Sequence, residues 1–261
     1  MKGLRLYGHY VSIHVKSAMQ YKMSFFLTAL GQFLVSFSVF LGIYFMFQRF
    51  PSVEGFTYEE SLLCFGIVLL QFSLAEMAVR GFDQFSSMVR TGEFDRVLVR
   101  PRGLVLQVLG SKFEMTRIGR IVQGIVMFGY SLAVADIPLT PARIVTLIFM
   151  IIGGVALFSG LFLIYAALCF FTLEGLEFMN VFTDGGREFG RYPIGIYGKR
   201  MLQFCTFIIP YALVQYYPFL YLIGWTENTG YVFLPLAAVL FLIPGYLLWR
   251  LGVRHYKSTG S

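Results

Sequence analysis

The chain has 261 residues, of which 57% are hydrophobic and only 13% are charged. A soluble globular protein carries about 25% charged residues, so this composition excludes an ordinary soluble domain and indicates a membrane protein. The net charge of +7 could suggest a nucleic-acid-binding protein. However, no polar domain is available to carry a basic face, and Lys and Arg collect at the cytoplasmic ends of membrane spans. We therefore expect these cations to meet membrane lipids and not nucleic acid.

The first 22 residues predict an amphipathic helix. Apolar side chains recur at steps of three and four on one face, and basic side chains such as Arg5 and Lys16 lie on another. A helix of this kind lies in the lipid headgroup region with its apolar side toward the hydrocarbon. We assign residues 1–22 to this interfacial helix and residues 23–261 to a single transmembrane domain.

Apolar stretches of the length of a membrane span follow. A bilayer core requires about 20 apolar residues in a helix. Six stretches approach this length, and no soluble domain fits between them. They are residues 23–47, 61–79, 118–135, 144–171, 201–224 and 231–249. The sequence therefore predicts an all-α, polytopic membrane protein with six transmembrane helices.

The basic residues predict how these spans are oriented. If the first residues are cytoplasmic, only Arg49 and Arg143 of the 21 Lys and Arg residues lie outside, which leaves 19 inside. An asymmetry of this size is a strong topological signal. We expect both termini to be cytoplasmic, together with the loop of residues 80–117 between the second and third spans.

The segment 172–200 leaves two layouts open. Six charged side chains fall within eighteen of its residues, and each would cost about 2.5–3.5 kcal/mol at the middle of a bilayer. By this argument the segment is a cytoplasmic loop and residues 201–224 form the fifth span. Alternatively, residues 174–192 cross as a charged helix inside the protein. The stretch that follows would then enter the membrane and return on the same side, because Pro210 and Pro218 permit a break.

A mixed-charge motif, GEFDRVLVRP, begins at Gly92 and ends at Pro101 in the loop after the second span. Gly92 can end a short helix by adopting a left-handed conformation, and Pro101 discourages a helix beyond it. Between them, both signs of charge flank an apolar side of Phe94, Val97 and Leu98, a composition typical of protein contacts. Arginines alone would fit binding to lipid phosphate, but anionic lipid repels acidic residues. The motif therefore favours docking of another protein.

This motif, the basic amphipathic helix and the six spans together resemble the membrane subunit of type-2 ATP-binding-cassette (ABC) exporters. The stretches RYPIGIY and FIIPYALVQYYP are similar to the region where that family places a re-entrant hairpin before the last span. The resemblance implies that residues 174–192 are the fifth span and that Lys199 and Arg200 lie outside. It also implies a bacterial cytoplasmic membrane, separate ABC ATPase subunits and a second permease subunit, identical or different.

In that family, a coupling helix between the second and third spans contacts the ATPase subunit. We expect this helix at residues 82–90, where three apolar side chains recur at helical spacing. The docking residues that we predict are Phe82, Phe85, Val89, Gly92, Glu93, Asp95, Arg96, Leu98, Arg100 and Pro101. In the competing interpretation, the arginines only set the topology and bind lipid phosphate.

Charged side chains near or within the predicted spans are candidates for a substrate pathway. Glu76 can pair with Arg80, one helical turn further on, or can contact a cationic substrate. Asp184, Arg187 and Glu188 have the spacing of an ion-pair ladder on one helix. Such a ladder is ordinary surface on a cytoplasmic helix, but it is a polar seam if the helix is buried in the membrane.

Tyrosines form a further candidate group near the expected hairpin. Tyr211 and Tyr216 lie in a cluster of four tyrosines. An aromatic belt at the membrane interface would explain the cluster. A wall along which a lipophilic substrate slides would explain it as well.

No motif for nucleotide binding, metal binding or covalent catalysis is present in the sequence. The phosphate-binding pattern Gly-x-x-x-x-Gly-Lys-Ser/Thr is missing, since IGIYGKRM has the Gly-Lys pair without the loop or the hydroxyl. The three cysteines lie in separate apolar runs without a His/Cys cluster. We therefore predict a permease without catalytic residues, cofactor or metal, driven by a partner's ATP hydrolysis. The alternatives are a membrane-embedded enzyme acting on lipid and a passive channel.

Overall fold

A computed structural model describes residues 2–135, 137–138, 140–172 and 177–258 of the chain. Within these ranges the protein is all-α, and its extended structure is limited to one isolated bridge between Val53 and Phe56. The helices are α1 (Lys2–Gln20), α2 (Lys22–Arg49), α3 (Tyr58–Asp83), α4 (Phe85–Arg90), α5 (Glu93–Leu98), α6 (Leu104–Ser111), α7 (Ile118–Val134), α8 (Pro141–Thr172), α9 (Asp184–Phe189), α10 (Lys199–Phe207), α11 (Tyr211–Gln215), α12 (Tyr217–Leu222), α13 (Leu234–Val239) and α14 (Leu242–His255). Short 3-10 segments are Met115–Arg117, Glu177–Val181, Ile194–Tyr197 and Thr229–Val232.

Four helical segments in the described ranges are long and apolar enough to cross a membrane. They are Lys22–Arg49, Tyr58–Arg90, Pro141–Thr172 and Thr229–His255. These segments coincide with the first, second, fourth and sixth predicted spans. The third predicted span corresponds to α7, which has 17 residues and is therefore about 25 Å long, slightly less than a bilayer core.

Helix α3 is the centre of the bundle. Its residues from Ser61 to Phe82 are almost all buried, because α7 packs on one side of it and α8 on the other. Helix α2 packs on α7, and the last two helices pack on α8. Only a narrow stripe of α2, at Ala29, Ser36 and Ile43, is buried, so most of its apolar surface remains open to lipid or to another subunit.

Two glycines allow neighbouring helices to approach closely. A Cβ atom at Gly119 of α7 would lie 2.0 Å from the carbonyl oxygen of Ala29 on α2. A Cβ atom at Gly154 of α8 would lie 2.2 Å from the side chain of Gln71 on α3. Both distances are far below van der Waals contact, so the packing of α2 on α7 and of α8 on α3 requires glycine at these positions.

Contacts between helices define two ends of the bundle. The side-chain amide of Gln71 donates a hydrogen bond to the carbonyl oxygen of Met150 over 3.0 Å. Just beyond the end of α3, the ring of Phe85 at the start of α4 lies 4.9 Å from that of Phe170, near the end of α8. Helices α3 and α8 therefore run in the same direction. We call the end of the bundle at which α3 terminates the arginine end, because Arg80 lies there.

The last membrane segment runs in this direction too. A Cβ atom at Gly153, early in α8, would touch Pro235, and one at Gly252 would touch Phe170. Helices α8 and α14 thus both end at the arginine end. The chain must consequently return to the opposite end between Thr172 and the start of the last segment.

The return begins with an irregular segment that lies against α3. The guanidinium of Arg187 lies 4.9 Å from the centre of the Phe72 ring. Further on, the carbonyl oxygen of Gly190 faces the thiol of Cys64, 3.8 Å away. Because Cys64 is nearer than Phe72 to the start of α3, residues 184–192 run antiparallel to α3, away from the arginine end.

Neither predicted form of the fifth span is a single continuous helix. In the charged alternative, residues 174–192, the described part is divided between the 3-10 segment Glu177–Val181 and α9. Glu174, the first residue of this alternative, lies outside the described residues. The other form, residues 201–224, is broken at the proline, and its two parts, Lys199–Phe207 and Tyr211–Leu222, are bent by 94°. Pro210 lies at this break, as expected from its missing backbone donor.

After the break, the chain leads from the middle of the bundle to the end opposite the arginines. The ring of Tyr211 lies 5.9 Å from that of Phe158, which is midway along α8. Trp225, by contrast, stacks at 4.2 Å on Phe56, which precedes α3. The region 193–225 therefore reaches the middle of the bundle at Tyr211 and finishes at the end opposite the arginines.

Candidate functional site

The loop between α3 and α7 is a compact helical unit. Gly92 has a φ of +70°, so the left-handed turn predicted from the sequence is confirmed and reverses the chain between α4 and α5. The side-chain amide of Gln107 on α6 donates hydrogen bonds to the carbonyl oxygens of Val97 (3.2 Å) and Arg102 (3.0 Å). These bonds fix the turn around Pro101. Gln107 was not singled out from the sequence, since its partners become apparent only in the folded loop.

Aromatic side chains attach this loop to the end of the bundle. We call them the aromatic clamp: Phe82, Phe85, Phe94, Phe170 and Trp249. Phe85 and Phe94 are fully buried, and their rings lie 4.9 and 5.2 Å from that of Phe170. The Trp249 ring lies 5.0 Å from Phe85 and 5.6 Å from Phe82. Each such pair contributes roughly 0.5–1.5 kcal/mol beyond the apolar area that it buries.

This burial contradicts part of what the sequence predicts for the loop. The expectation that Phe94 and Val97 present an apolar side to a partner is wrong, because both pack inward against the bundle. Phe82, Phe85 and Val89, which the sequence predicts as docking residues, are buried in the same cluster. The helical spacing of these side chains identified an apolar face correctly, but it could not distinguish an internal contact from an external one.

The outward surface of the loop is charged and carries a small apolar group. Val99 is 83% exposed and Leu98 is 39% exposed. Arginines and one glutamate surround them, so both signs of charge are present. We call this surface the docking face, and its exposed residues are Arg90, Glu93, Arg96, Leu98, Val99, Arg100 and Pro101.

Asp95 does not belong to the docking face. It is half-buried, and its Oδ1 accepts a hydrogen bond from the hydroxyl of Tyr256 over 3.1 Å. Its Oδ2 accepts a second hydrogen bond, of 2.7 Å, from the hydroxyl of Ser258. Burial, followed by the bond to Asp95, raises the pKa of Tyr256 and keeps the hydroxyl in its donating form. The carboxylate therefore binds the segment that follows α14.

A second candidate site surrounds Glu76, near the arginine end of α3. Its Oε1 lies 3.0 Å from Arg80 and 2.8 Å from Arg117, and its Oε2 lies 3.0 Å from Arg120. The predicted pair with Arg80 is confirmed, and the two further arginines join α3 to the start of α7. Glu76 is 5% exposed. Three guanidinium groups occupy the positions around its carboxylate from which a cationic substrate would have to approach.

Arg117 and Arg120 were missed as partners of Glu76, although the sequence contains a signal. Both lie at the start of the third predicted span, and Glu76 lies near the end of the second. In a membrane protein, the end of one span and the start of the next share one interface, so opposite charges there are natural partners. We call Glu76, Arg80, Arg117 and Arg120 the charged anchor.

The ion-pair ladder predicted after α8 is also formed. Arg187 lies 3.4 Å from Asp184 and 2.9 Å from Glu188, and Arg191 pairs with Glu188 as well. The side chain of Arg187 is 18% exposed, whereas that of Asp184 is 54% exposed. Arg187 is therefore the most buried member of the ladder and Asp184 the most open, while Arg191 and Glu188 are 34% and 39% exposed.

A polar seam lies where this ladder faces α2. A cavity of about 110 Å³ between the two is lined by Ser36, Arg120, Arg187, Glu188 and Arg191, among others. A second cavity, of about 410 Å³, shares Ser38, Val39 and Arg191 with this lining and continues to Tyr192. Polar side chains from three parts of the chain thus converge beside an otherwise apolar helix.

Tyr211 and Tyr216 occupy different surroundings. Tyr211 is 4% exposed, and its hydroxyl donates a hydrogen bond to the carbonyl oxygen of Phe182. It therefore joins α11 to the ladder segment inside the protein. Tyr216 is half-buried; its ring lies 5.4 Å from that of Tyr217, and its hydroxyl lies beside Gly195.

The long apolar helices define a multi-pass membrane protein. A family model described as ABC-2 family transporter protein matches residues 33–260. The chain therefore belongs to the ABC-2 transporter family, and the family resemblance drawn from the sequence is confirmed. Comparisons with curated proteins and with solved structures gave no match.

Proposed function

We propose that this chain is the permease subunit of an ATP-driven exporter and that a separate ABC ATPase binds its docking face. The observation that carries the proposal is the structure of the loop between α3 and α7. Its aromatic side chains are buried in the bundle, whereas Glu93, Arg96 and Val99 remain exposed on the outside. Membership in the ABC-2 transporter family supports the same function.

The attachments of the loop explain how force would reach the helices. Phe85 and Phe94 contact Phe170 of α8 and Trp249 of α14. The charged anchor joins the adjoining end of α3 to α7. A partner that moves the docking face would therefore displace the ends of four helices together. Phe82, Phe85 and Val89 transmit this movement in our proposal, and direct contact is assigned to the exposed residues.

We further propose six crossings, with the arginine end in the cytoplasm. The parallel directions of α8 and α14 support an outward crossing between them. Residues 184–192 run away from the arginine end along α3, which favours this segment as the fifth crossing. Residues 193–225 then form the re-entrant hairpin, and Lys199 and Arg200 lie on the outer side. Orientation of the bundle rests on the excess of basic residues at the arginine end.

The polar seam is our candidate for the wall of the substrate pathway. Charged groups are costly in a bilayer unless they face protein or water, and Arg187 and Arg191 line cavities beside α2. The exposed apolar surface of α2 is available to a second permease subunit, identical or different, which would close the pathway. A passive channel would use the same seam, but its flux would not depend on ATP.

An exchange of two charges tests docking. Glu93→Arg combined with Arg96→Glu preserves the net charge, the orientation signal and the total attraction to anionic lipid. We expect the double variant to insert normally but to lose co-purification with the ATPase and ATP-dependent transport. Glu227→Lys, at the other end of the bundle, serves as the control and should retain both. Unchanged co-purification and transport in the double variant would remove docking from this loop.

A further inference from the structure

An aromatic groove runs between α2 and α7 on the opposite side of α2 from the polar seam. It encloses about 380 Å³, a volume typical of small-molecule sites. Four aromatic side chains of α2 form one wall: Phe33, Phe37, Phe40 and Tyr44. Their successive ring centres lie 6.1, 5.5 and 6.5 Å apart in stacked geometry. The wall is thus a continuous aromatic surface about four rings long.

The floor of this groove contains one buried polar side chain. Gln123 of α7 lines the groove and is 2% exposed. Within the part of the chain that the structure describes, neither its amide nitrogen nor its amide oxygen has a hydrogen-bond partner. A buried amide without partners is costly, above all where lipid and not water surrounds the protein. A ligand group that both donates and accepts a hydrogen bond would remove this cost.

The remaining lining limits the chemistry of such a ligand. The described residues that line the groove include no charged side chain, so an ionic headgroup would find no counter-charge there. A hydroxyl or a neutral amide can satisfy both atoms of the Gln123 side chain at once. The side of the groove is open, because Val126 and Tyr130 are 62% and 51% exposed. A ligand can therefore enter sideways from the hydrocarbon.

We infer that the groove binds a neutral amphiphile from the membrane. Its apolar body lies on the ring surface from Phe33 to Tyr44, and its hydroxyl or amide group bonds the side chain of Gln123. This site is independent of the docking face and of the polar seam. It would stand even if the chain had no ATPase partner.

Photolabelling of the purified full-length chain in lipid nanodiscs tests the site. One probe is a long-chain alcohol with a diazirine in its chain, and the other is the corresponding alkane with the same diazirine. We expect the alcohol to label residues 33–44 and 126–130 at least fivefold more than the alkane does. In Gln123→Leu, this preference should fall to about one while the alkane signal is retained.

Two further variants keep the test decisive. Ser131→Ala alters a buried polar residue of α7 that does not line the groove, so the preference for the alcohol should persist. Gln123→Asn keeps the amide but shortens the side chain by one methylene, so we expect its preference for the alcohol to be intermediate. This variant replaces Gln123→Leu in the test if the leucine variant does not fold. Equal labelling by both probes in the unaltered chain, or a preference that survives loss of the amide, would show that the probes sample bulk lipid and not a specific site. Either result would overturn the inference.

Discussion

The hydroxyl of Tyr256 donates a hydrogen bond to Oδ1 of Asp95 over 3.1 Å, and this bond joins the segment after α14 to helix α5. The Tyr256 ring also stands perpendicular to that of Phe94, with 5.1 Å between their centres. The helix that carries the docking face is therefore held both by a ring contact and by a charged hydrogen bond. Its position depends on residues more than 150 positions later in the chain.

Removal of the Tyr256 hydroxyl should loosen this loop. In Tyr256→Phe the ring contact remains but the bond to Asp95 is lost, at a cost of about 1 kcal/mol for a partly exposed site. Local opening should become about fivefold more frequent. Trypsin cleavage after the exposed Arg102 measures this opening. Tyr246→Phe, a matched change at an exposed position of α14, should leave the rate unaltered, and equal rates in both variants would refute the role of the bond.

The same bond predicts a defined dependence on pH. Burial and the Asp95 carboxylate raise the pKa of Tyr256 above its ordinary value of 10.0. The folded chain therefore holds this proton more firmly than the unfolded chain, so the contribution is complete below that value and is lost as the pH rises above it. Between about pH 7 and 9, the ratio of cleavage rates for Tyr256→Phe and the unaltered chain should stay constant. A ratio that declines within this interval would contradict the assignment.

Loss of the carboxylate in the charged anchor should destabilise the bundle. Glu76→Gln leaves Arg117 and Arg120 close together without their carboxylate, whereas Arg80 keeps its ion pair with Asp83 at 2.6 Å. Removal of one partner from a buried ion pair costs about 3–5 kcal/mol. The apparent unfolding temperature in detergent should fall clearly, whereas Glu93→Gln, at an exposed position, should leave it nearly unaltered. An unchanged unfolding temperature for Glu76→Gln would mean that the three arginines do not depend on this carboxylate.

Two glycine-to-alanine substitutions on α7 distinguish the effect of helix packing on stability from the effect of helix propensity. Gly119→Ala places a Cβ atom against the backbone of Ala29, and overpacking of this kind costs about 1–3 kcal/mol. At Gly129, a Cβ atom would meet open space in the described structure. Gly129→Ala should therefore stabilise the helix by up to about 1 kcal/mol. Opposite shifts in unfolding temperature are expected, and a stabilising effect of both changes would show that α2 does not pack on α7 in this way.

The apolar helices could be predicted from the sequence because each is specified locally. A run of twenty uncharged apolar residues is helical in a bilayer whatever surrounds it. The region between α8 and the last segment could not be predicted in the same way. Its charges are compensated by pairing between Arg187 and its acidic neighbours, and its direction depends on contacts with α3. Hydropathy contains neither piece of information.

The candidate site was predictable only where its signals are local. The left-handed Gly92 and the pair of Glu76 with Arg80 follow from spacing within a few residues. The inward side of Phe94 could not be predicted, because the surfaces that cover it come from Phe170 and Trp249, far along the chain. Gln123 could not be identified from the sequence for a similar reason. A single glutamine in an apolar helix indicates a binding site only when it lies beside the aromatic wall of α2.

Site-specific photocrosslinking tests whether an ABC ATPase binds the docking face. A photoreactive amino acid at Val99 samples the docking face, and one at Val126, also exposed, samples the lipid-facing side of α7 as the control. We expect the probe at Val99, in cells that express the whole transporter, to capture one protein that contains Gly-x-x-x-x-Gly-Lys-Ser/Thr. The probe at Val126 should not capture it. Capture of lipid alone at Val99, or of the same proteins at both positions, would show that no ATPase binds specifically to the docking face.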